Sequence, residues 1–171
     1  MKISIYERIN KMDIHYRQIN PEAKLPVFNE MKSLLEVFAA EDIFISPNEI
    51  KAVSTGLSFI FPDDIGIMFI PPSAMTSKTS LRYVKNVFVL ENSYYHQEEF
   101  IIHFKNIYPT KDSIKSVTEY KLIDGSIVTD DNNYYDEGTV KIRKGDLIAW
   151  VQPVDAAYNG VACPEEEPAK K

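Results

Sequence analysis

The sequence predicts an all-β barrel or sandwich, and three observations carry that prediction. Short runs of β-branched and aromatic residues recur at a spacing of roughly ten residues. Clusters of Pro, Asn, Asp, Ser and Gly separate the runs and supply turn chemistry. Ten Tyr and nine Phe stand against only six Gly, and aromatic rings suit a pleated, half-buried surface.

Taken in order, residues 1–12 mix charge with apolar groups and read as an N-terminal extension, either a short helix or an extended arm. Residues 13–19 alternate, and Asn20 with Pro21 ends them as a strand. Residues 29–42 are ambiguous: Met31, Leu34, Leu35 and Phe38 fit a helical stripe as well as a bulged strand. Between residues 43 and 73 lie three apolar runs, separated by Ser46-Pro47-Asn48, Pro62-Asp63-Asp64 and Pro71-Pro72. Residues 84–92 and 98–106 are strand-like. In residues 116–131, Asp124-Gly125 carries a hairpin signal, because both can take the positive-φ positions of a type I′ turn. Residues 139–154 offer two strands around a Lys144-Gly145-Asp146 turn.

Composition narrows the function classes. At 171 residues the chain reads as one domain with room for one core. A net charge of −6, with no block of five like charges, speaks against a broad nucleic-acid face and against attraction to an anionic membrane. The single cysteine, Cys163, has no partner for an internal disulfide and reads as an inert thiol. No apolar run approaches the ~20 residues that cross a bilayer, and no signal-peptide pattern is present. The expected location is cytoplasmic, without secretion.

Several segments resemble, in order, those of the trimeric deoxyuridine triphosphatases (dUTPases) and their deoxycytidine triphosphate deaminase relatives. PEAKLP at 21–26 resembles the family's opening strand end, and residues 33–62 its first motif with the strand pair that follows. IPPSAMTSK at 70–78 lies where the family has its Pro-Arg-Ser phosphate-binding turn. NVFVLENSYY at 86–95 lies where it has a catalytic carboxylate and a substrate-facing Tyr, and KGDLIAWVQPV at 144–154 resembles its Gly-Asp-Arg-Ile-Ala-Gln strand. The resemblance implies a β-barrel or jelly roll of β-clip type, assembled as a threefold homotrimer with active sites between subunits. It divides the chain into the extension at 1–12, a dUTPase-like β domain at 13–155 with an inserted hairpin at about 110–139, and a tail at 156–171.

The motifs depart from the family where the chemistry lies. Hydrolysing a nucleoside triphosphate needs charge neutralisation, an oriented water and donors around the phosphates. By the resemblance, Glu36 and Glu91 stand for the two catalytic aspartates, each one methylene longer, and a misplacement of ~1 Å can cost about 10²-fold. Both also read as solvated strand-end carboxylates. Pro72 replaces the phosphate-binding Arg and offers neither charge nor an N–H. Ser73 and Tyr94 keep nucleotide-contact positions, while Tyr95 and His96 replace the Arg-Gly that follows. Leu147 and Trp150 replace an Arg and a Gln, which suits an interface better than a phosphate site. His103 replaces the deaminase's catalytic Glu. Tyr134 and Tyr135, in the inserted loop, are further interface candidates. The expectation is a non-enzymatic, trimeric structural or interaction subunit without cofactor or metal, within a larger protein assembly such as a phage or viral particle. The alternatives are a weak dUTP pyrophosphatase or nucleotide binder using Glu36, Glu91 and Mg²⁺, and a regulatory protein that binds a macromolecule through the altered groove.

Overall fold

The computed structural model describes residues 15–60, 65–85, 89–90, 98–110 and 114–155. Residues 1–12 and 156–171, and the site candidates Glu91 and Tyr94 with Tyr95 and His96, lie outside the described residues. The chain is mostly β with one short helix. Its strands are β1 (His15–Gln18), β2 (Val27–Asn29), β3 (Leu34–Phe38), β4 (Ile43–Ile45), β5 (Ile50–Ser54), β6 (Leu57–Ile60) and β7 (Ile65–Ile70). Helix α1 (Ser73–Lys78) follows, then β8 (Leu81–Tyr83), β9 (Val89–Leu90) and β10 (Ile101–Asn106). The last third holds β11 (Ser116–Val117), β12 (Glu119–Leu122), β13 (Ile127–Thr129), β14 (Tyr135–Asp136), β15 (Val140–Ile142) and β16 (Leu147–Asp155).

A five-stranded sheet, β2-β3-β16-β7-β9, is organised around the nine-residue β16. A four-stranded sheet, β13-β12-β15-β4, a three-stranded one, β5-β10-β8, and the two-stranded pairs β1-β6 and β11-β14 complete the body. Pairing is antiparallel except between β12 and β15. Alternation sorts side chains as a half-buried strand requires: in β10, Ile102, Phe104 and Asn106 are buried while Ile101, His103 and Lys105 are exposed. The core gathers Val37, Ile45, Val53, Phe59, Phe69, Phe104 and Val151, each all but fully buried. At its centre Phe69 stacks on Phe100 with centroids 3.9 Å apart. Each such side chain contributes about 1.5–3 kcal/mol by leaving water.

Four local readings are corrected or resolved. The ambiguous stretch is strand β3, since Leu35 and Val37 point to the core and Glu36 away from it. The phosphate-turn stretch is helix α1, which starts directly after Pro72, the N-cap residue, whose φ is −57° and ψ 130°. The Asp124-Gly125 turn is not type I′: Gly125 has φ +87° but Asp124 is not among the positive-φ residues. Asp124 Oδ1 instead accepts from the Ser126 N–H (2.8 Å) and hydroxyl (2.5 Å), giving a three-residue loop with one left-handed glycine. Finally, β15 and β16 flank the Lys144-Gly145-Asp146 turn without pairing with each other. β15 joins β4 and β12, whereas β16 joins β3 and β7, so the turn is a corner between sheets.

Asn106 ties these sheets together from a fully buried position. Its Nδ2 donates to the carbonyls of Ile45 (2.8 Å) and Gly138 (2.9 Å), and its Oδ1 accepts from the Ser80 hydroxyl (2.6 Å) and the Tyr108 N–H (3.0 Å). Every polar atom of that buried amide is thereby engaged, as a low-dielectric site demands.

Candidate functional site

Three of the positions singled out in the sequence, Glu36, Leu147 and Trp150, lie on one face of the five-stranded sheet. Register pairs Glu36 with Val27 and with Trp150, and Trp150 with Ile70. Directly opposed side chains share a face, so Val27, Glu36, Trp150 and Ile70 form one row. Phe38, two residues from Glu36, pairs with Leu147 in the adjoining row.

Leu147 and Trp150 are three residues apart, a spacing that puts side chains on opposite faces of a regular strand. A β-bulge between Leu147 and Ala149 supplies the extra residue that returns both to one face. The buried Tyr83 hydroxyl donates 2.5 Å to the carbonyl of Ile148, the residue left over at the bulge. Burial pushes the Tyr83 phenol up, so it stays a neutral donor.

The turn from β2 to β3 carries the remaining parts. The Lys32 N–H donates to both the carbonyl and Oδ1 of Asn29 (each 3.2 Å), and Ser33 takes φ +53°. This tight reversal lays the Lys32 ammonium over the Trp150 ring, 4.0 Å from its centroid. Asn29 Nδ2 meanwhile donates to Glu36 Oε1 (2.9 Å). In the next row the Lys24 ammonium lies 3.5 Å from the centroid of Phe38. The face therefore offers one carboxylate engaged by an amide, and two aromatic rings each covered by a lysine. The Trp150 indole N–H is buried and has no acceptor among the described residues.

Ser73 is exposed at the start of α1, three residues beyond Ile70, and Pro72 before it is buried. The structure thus brings Glu36, Leu147, Trp150 and the approach to Ser73 to one sheet face. It places Tyr134 and Tyr135 elsewhere, at the entry to β14. Tyr134 is 77% exposed. Tyr135 is packed, stacked on Phe44 (5.1 Å), edge-on to Tyr120 (5.0 Å) and donating 2.6 Å to Asp130 Oδ2. Lys24, Lys32 and Asn29 were not singled out from sequence, because nothing in their spacing says that a turn folds them over the sheet.

No family model matches the sequence, and no curated protein does. Solved structures do. A point variant of the dUTPase from phage phi11 of S. aureus, which reveals the coordination of a structural Mg(II) ion, superposes with a TM-score of 0.75. It is 21% identical over 92% of this chain and 97% of its own. A variant of the Staphylococcus bacteriophage 80alpha dUTPase gives 0.77 at 20% identity, over 91% and 98% of the two chains. Another 80alpha variant, solved with dUpNHpp, gives 0.75 at 20%, over 92% and 88%.

The chain has the dUTPase fold. Within that fold the strand-end segment expected to bind phosphate is the Pro-Pro entry to α1, and the strand expected to carry an Arg and a Gln is the bulged start of β16. A magnesium ion bound through phosphates needs only one or two protein carboxylates, and among the described residues Glu36 is the carboxylate in this row. Among the described residues no three His, Cys, Asp or Glu gather as an all-protein cage would require. Among the described residues, too, no helix is long and apolar enough to cross a membrane.

Proposed function

We propose that this chain is a non-catalytic subunit with the dUTPase fold, a trimer-forming interaction or structural component of a phage or viral assembly. The observation that carries this reading is the Lys32–Trp150 stack beside Glu36. Where polyphosphate chemistry needs free cationic donors, a lysine is engaged on an indole and the neighbouring positions are Leu147 and the buried Pro72. Apolar side chains on and around the same face support association: Val27 is 47% exposed, with Leu25 and Met31 also exposed nearby in sequence. The phage setting is supported by the phage origin of the similar structures, some of which are described as controlling transfer of virulence genes.

Lys24, Lys32 and Glu36 support a second reading, a nucleotide binder with weak dUTP pyrophosphatase activity through Glu36, Glu91 and Mg²⁺. Incubating the full chain with dUTP and Mg²⁺ and following pyrophosphate release separates the two. Turnover at an ordinary enzymatic rate of ~1–10 s⁻¹ overturns the first reading. Light scattering on the same preparation is expected to give the mass of three chains or a larger assembly.

A further inference from the structure

The inserted segment does more than lengthen a sheet. Residues 110–139 hold seven acidic residues against three lysines, a net charge of −4 within a chain of net −6. Its two ribbons, β12-β13 and β11-β14, are set apart in different sheets, and a groove of about 150 Å³ lies between them. Tyr108, Val117, Tyr120 and Ile127 form its apolar walls, and Glu119 and Glu137 its carboxylates. A second hollow adjoins it, sharing Val117 and Glu119 and bounded by Tyr134.

Two features make this groove unusual for a mere surface crease. Ile127, in the groove's wall, and Tyr134, in the adjoining hollow, are 61% and 77% exposed, the largest exposures among the large hydrophobic residues described after Met31. Glu119 and Glu137 meet no cation and no side-chain donor among the described residues, although four other ion pairs form elsewhere on the body. Lys121 is the one cation lining the groove, and it leaves an excess of negative charge there.

We infer that this groove docks a basic, partly apolar segment of a partner protein. An arginine or lysine of that segment sits between Glu119 and Glu137 against the tyrosine faces, and an apolar neighbour covers Ile127 or Tyr134. Cations favour both the carboxylates and the aromatic faces. Pairing of this insert with the insert of a second copy is disfavoured, because two segments of net −4 repel, and nucleic acid is disfavoured for the same reason. The inference rests on the reading of the chain as an interaction subunit. Pyrophosphate release tests that reading, and peptide binding tests this one.

The test uses the full chain and a fluorescein-labelled heptapeptide of alternating arginine and leucine, read by anisotropy. Saturable binding is expected, weakened at least tenfold in the Glu119→Gln/Glu137→Gln variant. It is expected to change less than twofold in Asp131→Asn, which removes an exposed charge of the insert outside the groove. Hydrogen exchange on the unmodified chain should slow over residues 116–121 and 134–139 when the peptide is added, whatever the variants' folding. Equal weakening in both variants, equal binding of a glutamate–leucine peptide, no binding, or protection confined to other segments overturns the inference.

Discussion

Trp150 and Glu36 stand opposite each other across β16 and β3, and Lys32 closes over the indole from the turn that also positions Asn29 against the carboxylate. The four side chains are therefore one unit, joined by a single turn. A double-mutant cycle with Lys32→Met and Trp150→Leu should return a coupling of about 0.5–1 kcal/mol in urea denaturation, the value of a partly exposed cation–π pair. Trp150 is the chain's one tryptophan, so its emission reports on this face alone. Lys32→Met should shift that emission, whereas dUTP with Mg²⁺ should leave it unchanged if the face does not hold nucleotide.

The bulge that aligns Leu147 with Trp150 depends on Tyr83, whose hydroxyl satisfies the Ile148 carbonyl. Tyr83→Phe keeps the ring's packing but leaves a buried acceptor unpaired, which costs about 1–3 kcal/mol. Thermal unfolding should show that loss. A Trp150 emission shift in the folded variant would report that the bulge has relaxed; a variant as stable as the parent would refute the role given to the hydroxyl.

The strands were legible because period-two alternation is written in the residues themselves, as in Ile101 to Asn106. Pairing was less so. The corner at Lys144-Gly145-Asp146 looks like a hairpin locally, and only the contacts of β15 with β4 and of β16 with β3 reveal it as a crossing between sheets. The candidate site was half legible. Glu36 and Trp150 were found because the resemblance supplied their positions, while Lys24 and Lys32 reach the face through turn geometry. The bulge was hidden altogether, since the group that satisfies its extra carbonyl is the remote Tyr83. The packing of Tyr135 was hidden as well, because the ring that stacks on it, Phe44, comes from the distant β4.

Two glycines allow backbone strain to be separated from crowding. Gly145 has φ +86° and open space where a Cβ would go, whereas Gly56 has φ +67° and a Cβ there would lie 2.4 Å from Ala23 Cβ. Gly145→Ala should cost only the left-handed strain, about 1–2 kcal/mol. Gly56→Ala adds overpacking against the strand-end segment and should cost roughly 3 kcal/mol or more. Equal midpoints for the two variants in urea would mean that Ala23 yields freely, contrary to its buried setting.

The Tyr135–Asp130 hydrogen bond makes an opposite prediction at each end of the pH scale. The Asp130 carboxylate, bonded first by the Tyr135 hydroxyl and then by Asn133, is held below the ordinary range. The same bond pushes the Tyr135 phenol up to about 12 from its usual 10. A lowered acid contributes stability that is present above its unfolded pKa of about 3.9 and is lost as pH falls through its folded value. A raised phenol contributes stability that is complete below about 10 and is lost as pH rises through about 12. Between those limits the pair should hold β14 steadily against Phe44. In Asp130→Asn the Tyr135 phenolate should appear nearer pH 10, followed by ultraviolet difference absorbance against a Tyr135→Phe control. An unchanged titration would mean that the phenol's shift does not come from Asp130, since burial is the smaller cause.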